Sequence, residues 1–115
     1  MHENRLPDGR LVLCGASAYS ESYFFNDDFD RLPESVKEEL RTIAILFTQE
    51  AGGAFYLAFD EEGDLEIVTD ADEEDITYDT ISAGLLAGKL RRERSELFAG
   101  ISMYYKAVFL GEGME

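Results

Sequence analysis

The sequence predicts an α+β fold, a small antiparallel sheet of two hairpins with two helices on one face, in the order ββαββα. Three patterns carry that expectation. Val36, Leu40, Ile43, Ala44 and Phe47 recur at i, i+4, i+7, i+8 and i+11, a continuous helical stripe. Phe55, Leu57 and Phe59 alternate along one segment and can pair with Leu65 and Ile67 along the next. Leu90, Leu97 and Tyr104 stand seven apart, with Ile101 and Val108 filling four-residue steps.

The elements follow in order. Pro7-Asp8-Gly9 reads as a turn, since proline presets its own φ and glycine accepts a positive one. Leu11-Val12-Leu13-Cys14 is short and apolar, a buried strand. Gly15 to Glu21 reads as a turn, and Tyr23-Phe24-Phe25 as a second strand ended by Asn26-Asp27-Asp28. Pro33 suits a first helical position, Glu34 lies near the positive end of the dipole, and Gly52-Gly53 ends the helix. The linker Asp60-Glu61-Glu62-Gly63-Asp64 supplies a glycine able to close a hairpin loop. Tyr56 and Ala58, on the other face of that strand, are not strongly polar, so both of its faces are expected to be covered. A last helix should start near Asp79 and run unbroken to Phe109, about 46 Å at 1.5 Å per residue. That exceeds a globule whose radius of gyration is about 13 Å, so the helix should overhang and pack on a partner, or else break at Gly88. The two hairpin-plus-helix halves suggest a duplication, but their residues do not align.

Composition narrows the function classes. At 115 residues the chain is one domain, 1–115, long enough to bury roughly 60–70% of its unfolded surface. No apolar run approaches the ~20 residues of a membrane helix, and the polar start Met1-His2-Glu3-Asn4-Arg5 is no signal peptide. Cys14 is alone, so neither an internal disulfide nor a cysteine-built zinc site is expected, and the compartment expected is the cytoplasm. Acidic residues outnumber basic ones 25 to 10, giving a net charge of −15. Ten of the acids, Asp60, Glu61, Glu62, Asp64, Glu66, Asp70, Asp72, Glu73, Glu74 and Asp75, fall in one stretch without a Lys or Arg. Such a field repels nucleic acid and anionic membranes and attracts basic protein surfaces.

Specific chemistry finds little support. An EF-hand loop needs glycine at its sixth position and a carboxylate at its twelfth. Counting from Asp70 these are Asp75 and Ile81, and counting from Asp60 the sixth is Leu65. Solvated loops and helix-entry charges explain the acids better, with Asp75 and Asp79 favouring the following helix dipole. Cys14 lacks a base, because the one histidine is His2, and it sits in an apolar strand where cysteine behaves as a small hydrophobe. Gly15-Ala16-Ser17-Ala18-Tyr19 has the front of a nucleophile elbow without its second glycine or following helix. Gly52-Gly53 has no lysine after it to make a phosphate loop. No catalytic, cofactor or metal residue is therefore expected.

The segments Leu11 to Tyr19, Leu46-Phe47-Thr48-Gln49-Glu50-Ala51-Gly52-Gly53 and Tyr104 to Glu112 resemble an uncharacterised family of short acidic bacterial proteins. The resemblance covers nearly the whole chain and implies a stand-alone domain, with no activity or ligand to carry over.

The expected function is a non-enzymatic, acidic interaction or regulatory module. It would act through Asp60, Glu61, Glu62, Asp64, Asp70, Asp72, Glu73, Glu74 and Asp75, docking on a basic protein surface. Lys89, Arg91, Arg92 and Arg94, on the last helix, are the expected contact of a homodimer. The small residues Ala83, Gly84, Ala87 and Gly88 form a strip of that helix, which either admits another backbone or packs on the chain's own sheet. The aromatics Tyr19, Tyr23, Phe24, Phe25, Phe29, Tyr104 and Tyr105 read mainly as core, with a surplus for an interface or pocket. Two alternatives remain: a small-molecule or enzymatic pocket lined by Tyr23, Phe25 and Tyr105, and a mimic of nucleic acid.

Overall fold

Phe55, Leu57 and Phe59 project from one side of β3 (Ala54–Phe59), and the apolar faces of the remaining elements gather on that side. The computed structural model describes residues 4–111. In it β1 (Leu11–Ser17), β2 (Ser22–Phe25), β3 and β4 (Leu65–Asp70) form one antiparallel sheet in the order β2-β1-β3-β4. Ala16 pairs with Phe55, Cys14 with Leu57, Ile67 with Leu57 and Leu65 with Phe59, so these positions share a face. A bulge between Val12 and Cys14 lets Leu13 and Cys14 both join the core. β1 runs to Ser17, past the expected end at Cys14. As a central strand it is held by ladders on both sides, which override the turn-like composition of Gly15-Ala16-Ser17.

α1 (Glu34–Ala51) follows Pro33 and ends at Gly52, whose φ is +80°. It buries Leu40, Ile43, Ala44 and Phe47, with Val36 partly buried against the same cluster. Ahead of it a short 3₁₀ turn, Asp27–Phe29, delivers Phe29 fully into the core.

The expected single final helix is corrected. α2 (Thr80–Glu93) and α3 (Ser95–Val108) are separate, the order is ββαββαα, and three helices rather than two cover the sheet. The break lies at Arg94 (φ −114°, ψ 23°), not at Gly88. Its cause is tertiary. α2 turns Ala83 and Ala87 inward and packs on α1, whereas α3 packs Phe98 and Ile101 against the core and contacts β4. Arg94 Nε stands 3.3 Å from Glu39 on α1, which anchors the corner. A straight helix would run past one of the two surfaces. Ser102 secures the second: the Leu65 amide donates to its hydroxyl at 2.9 Å, and the hydroxyl donates to the Phe98 carbonyl at 2.8 Å.

All buried apolar helical side chains join the cluster on the Phe55 side. The buried apolar residues outside it, Val12, Ala54 and Ala58, belong to the opposite face of the sheet. No helix packs there, so Phe24 is exposed and Tyr56 half-buried, while Ala54 and Ala58 are buried, leaving β3 itself largely covered on both faces as expected.

Candidate functional site

The open face is organised around Gly15. It pairs with Tyr56 across the β1–β3 ladder, and a Cβ added to Gly15 would come within 2.5 Å of Tyr56 Cδ1. The tyrosine ring therefore lies against the glycine backbone, a use of strand glycine that leaves an aromatic surface on the sheet. Tyr19 comes from the β1–β2 turn, where the Ser17 hydroxyl accepts from the amides of Tyr19 (3.1 Å) and Ser20 (3.4 Å). Its own hydroxyl donates to Asp75 Oδ2 at 2.7 Å and accepts from the Asp72 amide at 2.9 Å. The first hairpin is thereby tied to the connection between β4 and α2. Ser17, Tyr19, Ala54, Tyr56, Asp70, Ala71 and Asp72 line a cleft of about 280 Å³ between them.

Local hydrogen bonds tune the charge at one rim. The Thr77 hydroxyl and then the Tyr19 hydroxyl hold the Asp75 carboxyl below its ordinary range, and the carboxylate in turn raises Tyr19. Asp79 caps α2 by accepting from the amides of Ile81 and Ser82, and the Ser82 hydroxyl contributes most to lowering its carboxyl. Depressed carboxyls contribute stability that is fully present above their unfolded value of about 3.9 and lost as pH falls through the lower folded value. Acidification from about pH 5 toward pH 2 should accordingly release Tyr19 and fray the first turn of α2. NMR of the Tyr19 ring and far-UV circular dichroism read both. An unchanged acid response in an Asp75→Asn, Asp79→Asn double variant would refute this account.

The sequence-contiguous acids do not form one patch. Asp60 accepts from the Glu62 and Asp64 amides within the hairpin turn, Asp64 receives Lys106 at 2.7 Å, and Glu66 receives Arg10 at 2.7 Å. Asp70 accepts from the Ala71 amide and Asp72 from the Glu74 amide. Only the side chains of Glu61, Glu62, Glu73 and Glu74 make no hydrogen bond or ion pair among the described residues of this stretch. Those two pairs sit at opposite ends of β4, whose six residues span about 20 Å.

The bases divide similarly, Arg94 turning to Glu39 while Lys89, Arg91 and Arg92 lack an ion-pair partner among the described residues. Tyr23, Phe25 and Tyr105 are not brought together. Tyr23 lines a groove of about 430 Å³ with Ser17, Thr48, Gln49 and Arg41, whose guanidinium is 5.8 Å from the ring centroid. Tyr105 lines a cavity of about 590 Å³ beside Arg5, Arg10 and Asp60. Phe25 lines neither and lies under the Lys37 ammonium at 5.9 Å. The buried Tyr23 hydroxyl adjoins Cys14 without a well-formed hydrogen bond. Burial pushes the Cys14 thiol up to about 12, so it stays protonated near neutrality. No group of three or more His, Cys, Asp or Glu among the described residues is placed to hold a metal ion. No helix among them is long and apolar enough to cross a membrane.

Tyr56 was not among the expected site residues. Its signal was a glycine inside an apolar run, which in a strand marks a place where something approaches the backbone closely.

Fold and cleft together define an α+β domain whose helices cover one sheet face and leave the other as an acid-rimmed aromatic surface. The chain belongs to the family of unknown function DUF6145, whose model matches residues 10–113. No curated protein and no solved structure matches it.

Proposed function

We propose that the protein is a non-enzymatic docking module that receives a basic segment of a partner protein on its open sheet face. The observation that carries this reading is the shared lining of one cleft by two tyrosines, Tyr19 and Tyr56, and two carboxylates, Asp70 and Asp72. A Lys or Arg side chain matches that combination, because its apolar stem lies along aromatic surface while its charge meets carboxylate and ring quadrupole. Tyr19 is held by two hydrogen bonds before any partner arrives, which lowers the entropic cost of binding. The unpaired Glu73 and Glu74, on the same connection, strengthen the field that steers a basic partner inward.

The test uses a short arginine-rich peptide and isothermal calorimetry at low salt. Reversing Asp70 and Asp72 to lysine should keep the fold and weaken binding about tenfold or more, equivalent to about 1.4 kcal/mol. Reversing Glu61 and Glu62, at the far end of β4, should cost much less. Equal losses in the two variants would reduce the effect to net charge, and no binding at all would refute the reading.

A further inference from the structure

We infer that the outer face of α2 is a self-association surface, on which a second copy of this chain docks antiparallel. The small-residue strip anticipated on this helix divides. Ala83 and Ala87 point into the molecule, whereas Gly84 and Gly88 point out. A Cβ on Gly84 would meet nothing within 4 Å, and one on Gly88 would meet only Arg92 Nη1 at 3.6 Å. Between and before these glycines stand large aliphatic side chains. Ile81 is 75% exposed and Leu85 71%, and Ile76, on the connection leading into the helix, is 95% exposed. Ile81, Leu85, Gly88 and Arg92 recur at i, i+4, i+7 and i+11, with Gly84 beside Leu85, so they form one outward stripe.

Two properties of the stripe select a second copy as the occupant. The first is the order large, small, large, small. A two-fold axis between positions 84 and 85 sets Ile81 of one copy against Gly88 of the other, and Leu85 against Gly84. Each large side chain then fills the space over a glycine, and the helix axes can approach to about 8 Å, the close end of the usual range. The second is charge. Asp72, Glu73, Glu74, Asp75 and Asp79 precede the helix, and Lys89, Arg91 and Arg92 close it. Antiparallel pairing apposes the acidic end of each copy to the basic end of the other, twice, and opposes the two helix dipoles favourably. Parallel pairing would set like charges together. Glu73, Glu74, Lys89, Arg91 and Arg92 make no ion pair or side-chain hydrogen bond among the described residues, which leaves them available for this contact.

A helix of 14 residues is about 21 Å long, and its outer face falls well short of the ~800 Å² per partner of a standard stable interface. The expected species is thus a weak dimer that forms with concentration and weakens with salt. Asp72 aside, it draws on none of the residues that line the cleft between Tyr19 and Tyr56.

Sedimentation equilibrium over micromolar to millimolar protein should show a reversible monomer–dimer transition, shifted at least tenfold toward monomer by Leu85→Glu. Circular dichroism of that variant should be unchanged, because Leu85 contributes nothing to the core. Register is read by mixing chains carrying Ile81→Cys with chains carrying Gly88→Cys under mild oxidation; the native Cys14 is buried and does not interfere. The mixed disulfide should form faster than either like pair. A monomer throughout, a dimer indifferent to Leu85→Glu, or preferential Ile81→Cys self-linkage would each overturn the inference.

Discussion

Phe29→Ala should lower the melting temperature by roughly 15–25 °C, the largest effect expected of a single substitution in this chain. Phe29 is fully buried although it stands on a 3₁₀ turn of only three residues. Its ring stacks on Phe59 of β3 at 5.4 Å and on Phe109, just beyond α3, at 4.7 Å, and Tyr105 stacks on Phe59 at 4.0 Å. One aromatic group thus joins the sheet, the turn before α1 and the end of α3. Removing a buried phenylalanine costs about 3–5 kcal/mol, a large share of the 5–15 kcal/mol by which domains are stable. Because the ring's partners include Tyr105 and Phe109, amide exchange should rise more in α3 than in α1. Thermal melts and hydrogen exchange together test this. A loss under about 5 °C, or uniform exchange, would show that the stack does not hold α3 down.

Asn26→Leu is the second large effect, an expected loss of about 2–4 kcal/mol from groups left buried and unpaired. Asn26 is the one fully buried polar side chain among the described residues. Its Nδ2 donates to the Val12 carbonyl at 2.8 Å, beside the bulge of β1, and its Oδ1 accepts from the Asp28 amide at 2.9 Å and from Asn4 Nδ2 at 3.2 Å. Leucine keeps the branched shape, with somewhat larger volume, and restores none of these contacts. Asn26→Asp separates the roles, since it keeps the acceptor that caps the turn and loses the donor to Val12. Urea denaturation should place it between wild type and Asn26→Leu; a leucine variant as stable as wild type would refute the argument.

Much of this architecture was legible before any fold was known. The stripe from Val36 to Phe47, bounded by Pro33 and Gly52, specifies α1 through residues no more than a few turns apart. The alternation of Phe55, Leu57 and Phe59 specifies β3 and its hairpin in the same way. Asp79 signalled the start of α2, where it supplies the cap. Leu90, Leu97 and Tyr104 misled, because all three pack against the core although a break lies between the first two. Arginine is a good helix former, and nothing local marks Arg94 as a corner. Gly88, the weaker helix former, stays helical because no contact compels a bend there.

The candidate cleft divides along the same line. Asp70 and Asp72 stood out by charge and Tyr19 as an aromatic in a polar turn, but neither property related one to the other. Alone, then, the amino-acid sequence determined which segments carry an apolar face, where most of them begin and end, and the sign of the surrounding field. These follow from periodicity, capping residues and charge, all read over a few neighbouring positions. Tertiary structure alone decided that the last helix bends at Arg94, that Tyr56 lies on Gly15, and that Tyr19 meets Asp72 and Asp75. Each depends on residues some forty to sixty positions apart, whose encounter is set by how the helices and sheet pack rather than by any local preference.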